Sequence, residues 1–180
     1  MEGKIIIDTA AMQRMLARLA HEIIEQNSGT DEIFLVGIKR RGVPLARVLK
    51  SNIEKFSDLK TELGELDITF YRDDLTERYE SPKLNETRIG FDVTGKNIIL
   101  VDDVLFTGRT TRAAMDAVMS LGRPARIQLL VMVDRGHRDL PISANFVGKN
   151  IPTSREEFVS VRVPEYDGCM EVALSKKSDL

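Results

Sequence analysis

The sequence predicts an open, mostly parallel α/β sheet flanked by helices. Three observations carry that expectation. Residues 33–38, 98–101 and 125–133 are dominated by apolar side chains, without the in-out alternation of a half-exposed strand, as expected of strands buried on both faces. Segments with helical spacing of apolar residues lie between them, at 12–24, 44–56 and 113–119. Each run gives way to a polar, glycine-containing turn: Lys39-Arg40-Arg41-Gly42, then Asp102 to Thr110, then Asp134-Arg135-Gly136-His137-Arg138. Open α/β sheets bind ligands just beyond the carboxyl ends of their strands.

The 180 residues suit one domain, spanning 1–180. A net charge of −2 gives no global attraction to nucleic acid, so any such binding needs a local patch. Cys169 is the one cysteine. An internal disulfide is therefore excluded, which suits a reducing compartment and a cytoplasmic location. No signal peptide or membrane span fits the N-terminal residues.

Taken in order, residues 5–7 are three isoleucines, a short strand or extended arm. Asp8 and Thr9 supply N-cap oxygens for a helix that Asn27-Ser28-Gly29 ends. On that helix Arg14, Arg18 and His21 are spaced four and three apart and share one side. They form either a solvated basic face or a surface for a polyanion. Lys39, Arg40, Arg41 and Gly42 stand between a strand and a helix start, which makes an anion trap, and Gly42 permits close backbone approach. Residues 65–71 alternate polar and apolar, the pattern of a strand with one solvated face. Residues 72–90 are polar and irregular, which reads as a mobile loop or lid, with 87–94 alternatively a hairpin arm. Short strands follow at 145–148 and 158–163, and 172–174 is a last strand before a polar tail.

The central stretch is the most specific. A buried strand at 98–101 meets two adjacent acids, Asp102 and Asp103. Val104, Leu105 and Phe106 follow as an apolar spacer, then Thr107-Gly108-Arg109-Thr110, and a helix ended by Gly122 and Pro124. Adjacent carboxylates repel each other and resist burial. They are useful where they accept hydrogen bonds from vicinal hydroxyls or face a divalent cation. The hydroxyl-glycine turn at a helix start is suited to a phosphate. A ribose carrying a 5-phosphate satisfies both halves. No Gly-x-x-x-x-Gly-Lys-Ser/Thr occurs, which excludes the common ATP-binding loop.

This stretch resembles the phosphoribosyl pyrophosphate (PRPP) signature of type I phosphoribosyltransferases. Together with Gly37-Ile38-Lys39-Arg40-Arg41-Gly42, residues 67–75 and Val133-Asp134-Arg135-Gly136-His137-Arg138, it resembles the bacterial pyrimidine operon attenuation regulators that are also uracil phosphoribosyltransferases. The resemblance implies a type I phosphoribosyltransferase fold with a small hood near the chain ends, to which the short strands at 145–148 and 158–163 would belong. It implies conversion of uracil and PRPP to UMP and pyrophosphate, with Mg2+ carried on PRPP. It also implies binding of pyrimidine-operon leader mRNA, strengthened by UMP and other uridine nucleotides. By that resemblance Asp102 and Asp103 are catalytic, and residues Asp102 to Thr110 hold the ribose 5-phosphate. Lys39, Arg40, Arg41 and Gly42 form the pyrophosphate loop, often with a non-proline cis peptide. Arg78 and Arg88 belong to the lid. Phe158 and Val159 face the uracil, and Arg135 touches the base or the phosphates of the nucleotide. Arg14, Arg18, His21, His137 and Arg138 are candidate RNA contacts, although a lone histidine near a loop, such as His137, is more often structural. Glu165 offers a carboxylate to magnesium through water. A homodimer or higher homo-oligomer would join two basic helix faces. The alternative is a plain purine or pyrimidine salvage transferase without RNA binding.

Overall fold

The computed structural model describes residues 3–69 and 87–176. The elements run β1 (Lys4–Ile7), α1 (Thr9–Gln26), β2 (Glu32–Ile38), α2 (Gly42–Phe56), β3 (Lys60–Leu66), β4 (Asn97–Leu105), α3 (Arg109–Leu121), β5 (Arg126–Asp134), β6 (Phe146–Asn150), β7 (Glu157–Arg162), α4 (Pro164–Asp167) and β8 (Glu171–Lys176). Five strands form one parallel sheet in the order β3-β2-β4-β5-β6, and β1-β8-β7 form a separate antiparallel sheet.

The apolar runs are continuous because both faces of the parallel sheet are covered. Leu35, Ile99, Val101, Leu130 and Met132 pack with Met12, Leu16, Leu19 and Ile23 of α1 and with Leu45, Leu49 and Ile53 of α2. Val36, Ile98, Leu100, Leu129 and Val131 pack instead with Ala113, Ala114, Ala117 and Val118 of α3. Period-two alternation thus splits one strand between two cores. Asp8 caps α1, its carboxylate accepting the Ala11 N–H at 2.8 Å.

Four boundaries differ from the expectation. The predicted strand at 65–71 lies earlier, at Lys60–Leu66. It is an edge strand whose extent is set by its ladder with β2, from Glu32↔Lys60 to Ile38↔Leu66. The Asp67 carboxylate accepts the N–H and the hydroxyl of Thr69, and this side-chain turn ends the strand. Residues 145–148, expected in the hood, contribute to β6 and pair with β5 at the edge of the main sheet. Phe146 there is fully buried, and a strand that carries a core aromatic cannot belong to a peripheral flap. The described part of 87–94 is not a hairpin; one antiparallel bridge joins Arg88 to Glu65. β4 continues through the two acids to Leu105, and α3 opens at Arg109 rather than near Ala113. The remainder of the expected lid, including Arg78, lies outside the described residues.

α2 must approach β4 closely for the turn before it to reach the strand end. A Cβ on Gly42 would stand 2.2 Å from the Val101 carbonyl oxygen, and the neighbouring atom is main chain that cannot swing aside. Gly42→Ala is therefore expected to cost about 1–3 kcal/mol of overpacking, lowering the melting temperature by roughly 2–4 °C per kcal/mol. Thermal unfolding followed by circular dichroism checks this; an unchanged midpoint would contradict the close approach.

Candidate active site

The carboxyl ends of β2 and β4 open into a cleft of about 680 Å³. Lys39, Arg40 and Arg41 line one wall, Asp102, Asp103, Val104 and Thr110 the floor, and Glu165 and Tyr166 of α4 the hood side. A second cavity of about 310 Å³ is formed by residues 104–111 alone. It is the Thr107 to Thr110 turn seen as a concave surface.

Two helices begin at these cavities without a side-chain cap. α2 starts from Arg41, and α3 starts from Gly108, whose φ of +92° is the left-handed region glycine favours. The positive ends of both helix dipoles therefore point at the places where sequence reasoning put two phosphate groups. The Lys39–Arg40 peptide is cis, the isomer the resemblance implied for this loop.

The two acids are held by the strand itself. Asp102 is only 8% exposed, and its Oδ1 accepts the Asp103 N–H at 2.9 Å. Asp103 Oδ1 accepts the Val104 N–H at 2.8 Å. Burial, then the charge of Asp103, pushes the Asp102 carboxyl well above the ordinary aspartate range. Burial also pushes Asp103 up, against the Val104 N–H and the positive charge of Arg41. Such a pair is poorly satisfied as two anions in the free protein. Hydroxyl donors or a cation would stabilise it.

Arg41 is not an unattached cation. Its Nε and Nη2 donate to the two carboxylate oxygens of Asp167, at 3.1 and 2.8 Å. Arg47 of α2 bridges Glu165 of α4, at 2.8 Å, and Glu65 of β3, at 2.7 Å. Arg47, Glu65, Asp67, Thr69, Tyr166 and Asp167 were not singled out from sequence. Charged residues on edge strands and short helices carry no periodic signal; only the folding of α4 onto the cleft brings them to the site.

The remaining candidates divide. Arg88 is tied through its backbone to Glu65, which lines the cleft. Arg135 is buried over the Phe106 ring, 4.1 Å to its centroid, and donates to Thr153 Oγ1 and the Ser154 carbonyl, both at 3.0 Å. It braces the connection into the hood. Phe158 is exposed on β7 and Val159 half-buried against the core. β7 is an edge strand of the hood sheet. His137 has φ +63° and its Nε2–H donates to the Thr153 carbonyl at 2.5 Å. Arg138 donates to the carbonyls of Phe106 and Ile142, at 2.9 and 2.8 Å, and to Asp134. Both residues therefore shape the loop after β5. Arg14, Arg18 and His21 are exposed on α1. Arg18 donates to Glu22 and to the carbonyls of Val147 and Gly148 on β6, and His21 stacks on Phe56 at 4.4 Å. Among the described residues no cluster of three or more His, Cys, Asp or Glu side chains could hold a metal ion. No described helix is long and apolar enough to cross a membrane.

The phosphoribosyl transferase domain model matches residues 3–166. The chain is 59% identical over 173 residues to the bifunctional protein PyrR of Clostridium novyi, covering 96% of this chain and 97% of the relative. It is 57% identical to the protein of the same name from Thermus aquaticus, over 96% of this chain and 95% of that one. Among solved structures it is similar to the hypoxanthine phosphoribosyltransferase of Trypanosoma cruzi, with TM-score 0.73, 15% identity and 96% of each chain covered. A hypoxanthine-guanine phosphoribosyltransferase from Bacillus anthracis gives TM-score 0.70 at 19% identity, over 96% of this chain and 98% of the other. The fold is that of the phosphoribosyltransferases, and the chain belongs to the phosphoribosyl transferase family and, within it, to the bifunctional PyrR proteins.

The raised Asp102 gives a signed prediction. Its folded value lies above the unfolded one, so ionisation weakens the fold as pH rises from the unfolded carboxyl range through the folded value. Asp102→Asn keeps an acceptor for the Asp103 N–H and removes the charge. It is expected to raise the ligand-free melting temperature at pH 7 by roughly 2–4 °C, equivalent to about 1 kcal/mol. The gain should shrink towards pH 4. Melting curves across that range check it, and a variant less stable at pH 7 would refute the electrostatic account.

Proposed function

We propose that this member of the PyrR family joins uracil to PRPP, giving UMP and pyrophosphate, and uses the same site to sense uridine nucleotides while binding pyrimidine-operon leader mRNA. The observation that carries the catalytic half is the pairing of two cavities on one strand end. The Asp102-Asp103 floor suits the 2- and 3-hydroxyls of a ribose, and the 104–111 cavity suits its 5-phosphate.

In the reaction the bond from ribose C1 to the pyrophosphate oxygen breaks, and a bond to uracil N1 forms. Positive charge develops on the sugar ring. Asp102 and Asp103 fix the ring through its hydroxyls and favour that charge. Thr107, Gly108, Arg109 and Thr110 hold the 5-phosphate at the start of α3. Lys39, Arg40 and Arg41, with the N-terminus of α2, receive the departing pyrophosphate. Magnesium arriving on PRPP supplies charge neutralisation of the diphosphate, and the open cleft with two acids on its floor suits a metal held mainly by the substrate. The free edge of β7 at Phe158 and Val159 offers main-chain N–H and C=O to a pyrimidine edge. The cleft singles out no one side chain as the base for the N1 proton, which solvent or the leaving group can take.

The RNA surface in this reading is α1, where Arg14 and Arg18 are exposed, with His137 and Arg138 contributing near the nucleotide. Such basic faces contact phosphates and read folded RNA by shape. A two-fold homo-oligomer would double the face.

Two measurements test this. Mixing the protein with uracil, PRPP and Mg2+ is expected to yield UMP, with kcat/KM in Asp103→Ala lower by about 10²-fold or more; equal activity would remove the acids from the mechanism, and hypoxanthine turnover exceeding that of uracil would select a purine salvage enzyme. Leader RNA titrated at two salt concentrations is expected to bind more tightly with UMP, and Arg14→Ala to weaken binding and reduce the salt slope by about one. RNA affinity indifferent to UMP would separate the two activities.

A further inference from the structure

The pyrophosphate loop and the hood meet in a clamp that the reaction as described does not use. α4 is only four residues long, yet it presents Asp167 to Arg41 and Glu165 to Arg47. The Arg41–Asp167 contact is a two-point fork, the geometry that fixes a guanidinium in orientation as well as position. Asp167 is itself anchored, because its Oδ2 also accepts the Val163 N–H at 2.9 Å. The acid is thus a fixed post and Arg41 the part that is aimed.

Arg41 has a second acid within electrostatic reach, Asp103, whose oxygens the ribose needs. Both side chains line the same cleft, so a guanidinium without a competing anchor is drawn towards Asp103. That would occupy both the hydroxyl acceptor and the diphosphate donor at once. The fork to Asp167 uses the Nε–H and one Nη2–H. Three of the five guanidinium N–H groups stay directed elsewhere, enough for a diphosphate oxygen.

We propose that Asp167 is a positioning residue for PRPP: it holds Arg41 away from Asp103 and presents its remaining N–H groups to the diphosphate. It acts through Arg41 and touches no substrate. The proposal rests on the phosphoribosyl transfer reading of the cleft. It deepens that reading by assigning the hood a part in diphosphate binding besides covering the base.

The test compares wild type, Asp167→Asn and Asp167→Glu. Asparagine keeps an acceptor for the Val163 N–H, so α4 stays folded while the charged fork is lost. Steady-state UMP formation is expected to show a PRPP KM raised about tenfold in Asp167→Asn, with the uracil KM within about twofold, since tenfold corresponds to one charge-assisted contact. Asp167→Glu should recover part of the loss. Binding of magnesium pyrophosphate alone, by calorimetry, should weaken in parallel, and the ligand-free melting temperature should stay near the wild-type value. An unchanged or lower PRPP KM in Asp167→Asn overturns the proposal. So does an equal rise in both KM values with a lower melting temperature, which is a merely structural role. If the wild type binds pyrophosphate but makes no UMP, the transferase reading fails, and the ratio of pyrophosphate affinities still decides what Asp167 does. If the wild type binds no pyrophosphate, both fail.

Discussion

Two neighbouring carboxylates at the end of a central strand are the constraint around which the site is arranged. Asp102 and Asp103 each accept the following main-chain N–H, so the strand itself holds them in place. Burial and mutual repulsion still leave them short of stabilising partners. The free protein therefore holds an unfavourable charge arrangement that vicinal hydroxyls or a cationic transition state would relieve. In the proposed reaction the stability given up at this strand end would be recovered as interaction with the sugar, the usual trade at a preorganised polar site.

The surroundings follow from that strand end. Gly42 lets α2 come against the Val101 carbonyl, which brings the Lys39-Arg40-Arg41 turn beside the acids. Gly108 turns the chain so that α3 starts at the next concavity. The two concavities then adjoin, since Val104 and Thr110 line both. At the cleft the hood closes the third side through ion pairs, while Val161, Val163 and Val172 behind them pack into the core shared with α1 and α2. Arg41, Arg47, Asp167 and Glu165 are each partly exposed. Exposed pairs of this kind contribute little stability, so their value lies in orientation.

The basic residues read as RNA contacts have a double life in the fold. Arg18 satisfies two carbonyls of β6, and Arg138 satisfies three carbonyls around the loop after β5. A guanidinium carries five donors, and these bonds leave others for phosphate oxygens. The purine transferases share the fold at 15–19% identity, whereas the PyrR relatives match at 54–59%. The fold is common to both groups.

The chain order alone determined the parallel sheet, the acid pair, the hydroxyl-glycine turn and the cationic loop. Each of these is local: a continuous apolar run, a dipeptide, a short turn, all within a few residues. Tertiary structure decided what crosses between segments. It moved the strand after α2 to Lys60–Leu66, because an edge strand takes its limits from its partner's ladder. It placed residues 145–148 in the main sheet, because Phe146 had a core to fill. It joined Arg41 to Asp167 across 126 positions of sequence. Side chains that meet only through folding leave no periodic trace, since the pairing depends on the approach of two backbones rather than on the spacing along either one.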